Sequence, residues 1–260
     1  MDRLLTILLG IIQSEPNNSI DCILATYLLQ HIQDIHSITT DDLALHTQIS
    51  KSSISRFCRK IGLNDFYELR EMIRMYDSSL EKFNFFPISK HTSLSKQYIE
   101  TVSQHILNLC DSLDFSMIDE LVDDLMAYEN VIIAGNLQAN SIAHNLQLNL
   151  FSCHKLVQSK VKFSQLCQLI EEADHNTLII TFSTKGSFFR RMFLQDRRLL
   201  KKDRPKIYLI SENKNMALSP YIDRLIYVDA PFDFSSGTFQ LEVVANLIAL
   251  NFCERMKSND

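Results

Sequence analysis

No stretch of this 260-residue chain approaches the ~20 consecutive apolar residues that a bilayer-spanning helix needs, which argues against a membrane span. The apolar start MDRLLTILLGIIQSE carries one basic residue but no small-residue cleavage site, and it continues into amphipathic sequence. It reads as a first helix rather than a secretory signal. The six cysteines, Cys22, Cys58, Cys110, Cys153, Cys167 and Cys253, include no CxxC pair and no Cys/His grouping at zinc-ligand spacing. They are expected to be reduced core thiols of a cytoplasmic protein, and neither a metal nor a cofactor is called for. Low-complexity tracts and internal repeats are absent as well. An excess of positive charge is also lacking. The net charge is −5, so nucleic-acid binding would have to come from a local basic face rather than from the average.

A hydrophobic share of 46% against 22% charged residues is ordinary for a globular protein, and the length suits two domains better than one. Up to about residue 76, apolar residues recur at three- and four-residue spacing, the pattern of an all-α unit. Residues 77–94, DSSLEKFNFFPISKHTSL, break that period with serines, Pro87 and scattered aromatics, as a connector does. The boundaries that follow are a first domain at 1–77, a linker at 78–94 and a second domain at 95–260. After a further helical stretch at 95–128, short apolar runs appear at 131–134, 155–157, 178–182, 206–210 and 225–228. They alternate with segments of helical period at 141–151, 164–171 and 188–200, which predicts a doubly wound α/β domain with a parallel sheet. Residues 239–256 are expected to form a closing helix, packed on the sheet or on a partner subunit.

The segment SITTDDLALHTQISKSSISRFCRKIGL holds two helix starts in close succession. Thr39 followed by Asp42 suits a capped helix at 40–46. Ser50 is a good N-cap for a second helix from Lys51 to Ile61, and Gly62 accepts the left-handed conformation that ends one. Two short helices joined by a tight turn are predicted. In the second, helical geometry puts Ile54, Phe57, Cys58 and Ile61 on one core stripe and leaves Ser52, Arg56 and Arg59 nearly opposite. Ser55 and Lys60 flank that outer face, and no acid falls between Lys51 and Lys60. Such a face suits the major groove, where Arg pairs with guanine edges and Ser hydroxyls reach bases or phosphates. Lys51, Ser52, Ser53, Ser55, Arg56, Arg59 and Lys60 are therefore the candidate DNA-binding residues, with Arg56 and Arg59 foremost.

The run LALHTQISKSSISRFCRKIGLNDFYELR resembles the helix-turn-helix of the RpiR-type regulators, through its Ser-Ile-Ser-Arg-Phe, its Arg-Lys-Ile-Gly-Leu and the aromatic before Glu-Leu. The resemblance implies sequence-specific binding of double-stranded DNA at a palindromic operator by a homodimer or homotetramer. It also implies that the second domain is an SIS (sugar isomerase) domain, a flavodoxin-like α/β fold that binds phosphosugars. That family's first ligand motif, Gly-x-Gly-x-Ser, here reads Gly135-Asn136-Leu137-Gln138-Ala139. Its second, Ser-x-Ser-Gly-x-Thr, reads Ser183-Thr184-Lys185-Gly186-Ser187-Phe188. In the second loop the hydroxyls, the Lys185 charge and a following helix N-terminus can still hold an anion. Leu137 adds bulk where backbone should approach the ligand. Gly135, Asn136, Ser183, Thr184, Lys185, Gly186 and Ser187 are the candidate effector-binding residues. The departures leave open an altered effector or a domain kept mainly for dimerisation.

Further along, Ser219-Pro220 and Asp223 resemble a loop of the same family and are read as structural, and the basic run 197–206 as a solvated helix end. An isomerase would need a positioned general base, for which Glu171, Glu172, His175 and Glu242 are available, but none sits in an identifying motif. The function expected is a transcription regulator of sugar or amino-sugar metabolism and uptake genes, without catalysis. The alternatives are a phosphosugar isomerase-like enzyme and a non-catalytic SIS-type regulator that binds protein.

Overall fold

The computed structural model describes residues 2–32, 34–35, 37–77, 93–135, 138–184, 186, 203–229 and 237–259. The chain divides into two compact units, Met1–Asn84 and Phe85–Asp260. Most of the expected linker, residues 78–92, and the expected helix at 188–200 lie outside the described residues.

The first unit contains α1 (Asp2–Ser14), α2 (Ile20–Gln30), α3 (Thr40–Thr47), α4 (Lys51–Lys60) and α5 (Phe66–Asp77). Local signals set these boundaries. Ser19 caps α2 by accepting from the Cys22 amide at 3.1 Å, and Ser50 caps α4 by accepting from the Ser53 amide at 3.3 Å. Their apolar stripes meet in one core, with Leu8 of α1, Leu24 and Leu28 of α2, Leu43 of α3, Phe57 of α4 and Leu69 of α5 all essentially excluded from solvent. Burial of this kind, rather than helix propensity, stabilises helices as short as α3 and α4.

The second unit opens with α6 (Leu94–Leu107), α7 (Leu109–Ser112) and α8 (Phe115–Ala127), then alternates β1 (Asn130–Ala134), α9 (Gln138–Ser152), α10 (Phe163–Glu171), β2 (Thr177–Phe182), β3 (Lys206–Ser211), a 3-10 turn at Lys214–Leu218, β4 (Arg224–Tyr227) and α11 (Gly237–Asn259). Among the described residues the sheet is fully parallel, ordered β1-β2-β3-β4. Successive residues feed opposite faces. Val131, Ile133, Ile180, Tyr208 and Ile210 pack under α8, α9 and α11, whereas Ile132, Ile179, Ile207 and Leu209 pack with Leu166 and Ile170 of α10. Both faces are covered, which is why the strands read as continuous apolar runs.

Two expectations need correction. The run at 155–157 is not a strand. Only Gln158 bridges to β1, with Ile133 N donating to its carbonyl at 2.8 Å and its own N donating to Val131 O at 2.8 Å. His154 just before it adopts a φ of 63°, which breaks extended geometry. Nor do the cysteines behave as a uniform set of core thiols. Cys22 and Cys58 are buried, Cys110 is exposed and Cys167 half-buried, while Cys153 and Cys253 are joined as a disulfide.

Candidate nucleic-acid interface and effector loops

The turn between α3 and α4 is built by side chains near it in sequence. Thr39 and Asp42 form a reciprocal capping box, with Asp42 N donating to Thr39 Oγ1 at 3.1 Å and Thr39 N donating to Asp42 Oδ2 at 2.9 Å. Hydrogen bonds from the Thr39 hydroxyl and backbone hold the Asp42 carboxyl below the usual carboxylate range. Gln48 leaves α3 at a left-handed φ of 58°, and Ser50 then restarts the chain as α4.

Along α4, Ile54, Phe57 and Cys58 are buried, and Lys51, Ser52, Arg56, Arg59 and Lys60 are exposed. Burial pushes the Cys58 thiol up to about 11, so it stays an uncharged core group. Ser55 is half-exposed. Ser53 turns inward at 9% exposure, sharing its hydroxyl with Ser50 at 3.0 Å and accepting from Arg56 at 3.1 Å. It therefore supports the arginine rather than facing outward. Arg59 folds back on Ser55, its Nε donating to the Ser55 carbonyl at 3.4 Å.

The charges on this helix divide into two kinds. Lys51 is ion-paired with Asp41 of α3, and Lys60 with Asp21 of α2. Arg56 and Arg59 have no acidic partner among the described residues. The acid-free sequence between Lys51 and Lys60 thus concealed two acids that tertiary folding delivers from neighbouring helices. A cavity of about 320 Å³, lined among others by Ser19, Asp21, Arg56 and Lys60, separates the start of α2 from α4.

In the second unit, parallel pairing sets Ala134 beside Thr181, so the loops after β1 and β2 leave the sheet at the same carboxyl edge. Ligands of open α/β sheets bind along such edges. Gly135 follows β1 immediately, and a Cβ there would lie 2.1 Å from the Ala139 carbonyl oxygen. Only glycine permits α9 to begin this close to the strand. Ser183 is buried, and its N–H donates to Ile210 O at 3.1 Å. The Thr184 carbonyl accepts from Glu212 N at 3.1 Å and from the Ser211 hydroxyl at 3.0 Å. Gly186 has a φ of +71°. Gly135, Ser183, Thr184 and Gly186 are therefore gathered at one edge, while Asn136, Lys185 and Ser187 lie outside the described residues.

Four buried polar groups of the second unit escaped sequence reasoning. Asn140 Oδ1, His144 Nε2, Ser159 Oγ and Thr181 Oγ1 are buried without a hydrogen-bond partner, and Thr181 pairs with Ala134 at this edge. Asn140 and His144 stand one turn apart on α9. The same helix reaches the Gln158 bridge segment, where Gln147 donates to Val157 O at 2.8 Å. Helical period alone reads such residues as a solvated face.

The groups available to a general base lie elsewhere. Glu242 is hydrogen-bonded to Asn145 between α11 and α9. His175 pairs with Asp203 at 2.5 Å beside the start of β2, and Glu171 and Glu172 sit exposed at the end of α10. Asp223 is structural. It receives both Arg204 guanidinium nitrogens, at 2.8 and 2.5 Å, and Ile207 N at 2.8 Å. Of the basic run, 197–202 lies outside the described residues and Arg204 and Lys206 are ion-paired. No helix among the described residues is long and apolar enough to cross a membrane.

The chain thus joins a helix-turn-helix unit to a parallel α/β unit. Residues 9–79, most of the first unit, match the helix-turn-helix domain of the rpiR family. Among solved structures, the chain is similar to the Vibrio vulnificus NanR protein complexed with ManNAc-6P, at 15% identity and a TM-score of 0.54 over 97% of this chain and 92% of that one. The sugar isomerase domain of an RpiR transcription factor from Sphaerobacter thermophilus matches at 14% identity and a TM-score of 0.51, over 64% of this chain and 93% of that one. A protein of Escherichia coli CFT073, solved as a ligand complex, matches at 18% identity and a TM-score of 0.53, over 63% and 90%. These likenesses establish the fold of the second unit as that of sugar isomerase domains.

Proposed function

We propose that the protein is a cytoplasmic, sequence-specific transcription regulator of genes for sugar or amino-sugar metabolism or uptake. The observation that carries this reading is α4, a capped recognition helix whose outward Arg56 and Arg59 have no acidic partner among the described residues. Lys51, Ser52, Ser55 and Lys60 complete the DNA-facing set, and Ser53 orients Arg56. Two copies would place their recognition helices on a palindromic operator, ~34 Å apart for neighbouring half-sites.

A phosphosugar is the effector class that the second unit suits best. NanR, similar over nearly the whole chain, is complexed with ManNAc-6P. Gly135, Ser183, Thr184 and Gly186 converge at the carboxyl edge, and Asn136, Lys185 and Ser187 are their neighbours in the chain. The buried, unpartnered polar atoms of Asn140, His144 and Ser159 can take the hydrogen bonds of sugar hydroxyls. The ligand would shift the balance between DNA-competent and incompetent arrangements by its difference in affinity for the two. Catalysis has no comparable support, because Glu171, Glu172, His175 and Glu242 do not converge on this edge.

The test is binding of the purified full chain to DNA from around its own gene and adjacent sugar-uptake genes, at physiological salt with competitor, with and without a panel of phosphosugars. Specific binding altered by one phosphosugar supports the reading. Absence of specific binding under all conditions removes it and brings forward the protein-binding and isomerase alternatives.

A further inference from the structure

We infer that Cys153 and Cys253 are a redox modification site, a thiol pair that a peroxide closes reversibly to tie α9 to α11. The two helices lie side by side along a seam of matched residues. Asn145 bonds Glu242 and Asn149 Nδ2 donates to Asn246 Oδ1 at 2.9 Å, and the cysteine pair follows one turn beyond Asn149 and two turns beyond Asn246, with Cα atoms 5.6 Å apart. That separation lies within the range disulfides occupy. The packing of α9 on α11, which these polar pairs mark, brings the cysteines together across a sequence separation of 100 residues, so it is the folded second unit that assembles the site.

Compartment and access argue for modification rather than a permanent staple. A protein acting on DNA works where thiols are kept reduced, and disulfides there are mostly transient. Cys153 and Cys253 are each half-buried, within reach of a small oxidant. The other four cysteines are free thiols: Cys22 and Cys58 are buried in the first unit, Cys110 is exposed and Cys167 half-buried.

The chemistry balances with peroxide as the oxidant. One thiolate attacks a peroxide oxygen, the O–O bond breaks, and a sulfenic acid forms as the first water leaves. The second thiolate attacks that sulfur, the S–O bond breaks, the S–S bond forms and a second water leaves. The two sulfurs give up two electrons, and a thiol reductant reverses the exchange by becoming a disulfide itself. Closure anchors the far end of α9, the helix that begins just after Gly135, and it constrains the unfolded chain.

The full chain is reduced, treated with hydrogen peroxide, then denatured, alkylated and digested for mass spectrometry. The reduced protein should expose six alkylatable thiols and the oxidised protein four, with a Cys153–Cys253 linked peptide that dithiothreitol abolishes. Oxidation should raise the thermal midpoint of the wild type by several degrees and leave Cys153→Ser and Cys253→Ser unmoved. Six thiols surviving peroxide, a link between different cysteines or different chains, or a bond that dithiothreitol does not open in the folded protein would each overturn the proposal.

Discussion

Lys60, the last residue of α4, is ion-paired with Asp21 in the first turn of α2. An acid thus neutralises one end of the helix that carries the candidate DNA contacts. The pair is partly exposed, and such pairs contribute little to stability, so its main effect is on the charge offered to DNA. Asp21→Asn should strengthen binding to any duplex several-fold at low salt. It should also steepen the slope of log affinity against log salt by about one unit, as one more phosphate contact forms. Fluorescence anisotropy across a sodium chloride series measures both, and an unchanged slope would show that Lys60 does not meet phosphate.

This pair also marks where sequence reading stops. The capped α3, the tight turn and the apolar stripe of α4 were legible because each is written in residues three or four apart, such as Thr39 and Asp42 or Ile54 and Cys58. The parallel sheet was legible because two-sided burial leaves uninterrupted apolar runs. Compensation of Lys51 and Lys60 was not, since Asp41 and Asp21 reach them only through helix packing. The inward turn of Ser53 depends on Ser50 and Arg56 sharing its hydroxyl. Cys153 and Cys253 meet across 100 residues, a relation no local pattern encodes. Residues 155–157 looked like a strand because apolar content does not reveal the left-handed His154.

Thr39→Ala should destabilise the first unit by about 1 kcal/mol, the usual cost of losing such a cap. Asp42 is held below its unfolded value, so its contribution is present above about pH 4 and is lost as pH falls through the folded pKa. Urea titrations from pH 7 to pH 3 should show a shallower acid loss in Thr39→Ala than in the wild type. Parallel curves would mean that Thr39 is not what holds Asp42 ionised.

Gly135→Ala places a methyl group against the Ala139 carbonyl, 2.1 Å away, so α9 must move off the end of β1. Overpacking of this kind costs about 1–3 kcal/mol, and the loss should fall on the second unit. Calorimetry of the full chain measures it. A midpoint equal to that of the wild type would show that the close approach is dispensable.

Tyr208 is fully buried and donates to Asp124 at 2.5 Å. Burial first, and then the Asp124 carboxylate, raise its pKa above the usual tyrosine value. Its neutral form therefore contributes stability that is intact below about pH 10, where the unfolded tyrosine titrates, and is lost as pH rises toward the folded pKa. Tyr208→Phe should cost about 1 kcal/mol at pH 7 through the lost hydrogen bond, and it should remove that residue's share of the alkaline loss. Chemical denaturation at pH 7 and pH 11 compares the two proteins, and an equal alkaline loss in both would contradict the assignment.

On the proposed function, α4 reads DNA through Arg56 and Arg59. The most direct test is the affinity of Arg56→Ala and Arg59→Ala, singly and together, for a selected operator and for random duplex across a salt series. A base-reading arginine should cost about 1–3 kcal/mol on the operator and relax preference at one position. A phosphate-binding arginine should weaken both duplexes alike and flatten the salt slope by about one unit. A folded double variant that keeps wild-type affinity and selectivity on both duplexes would contradict the account.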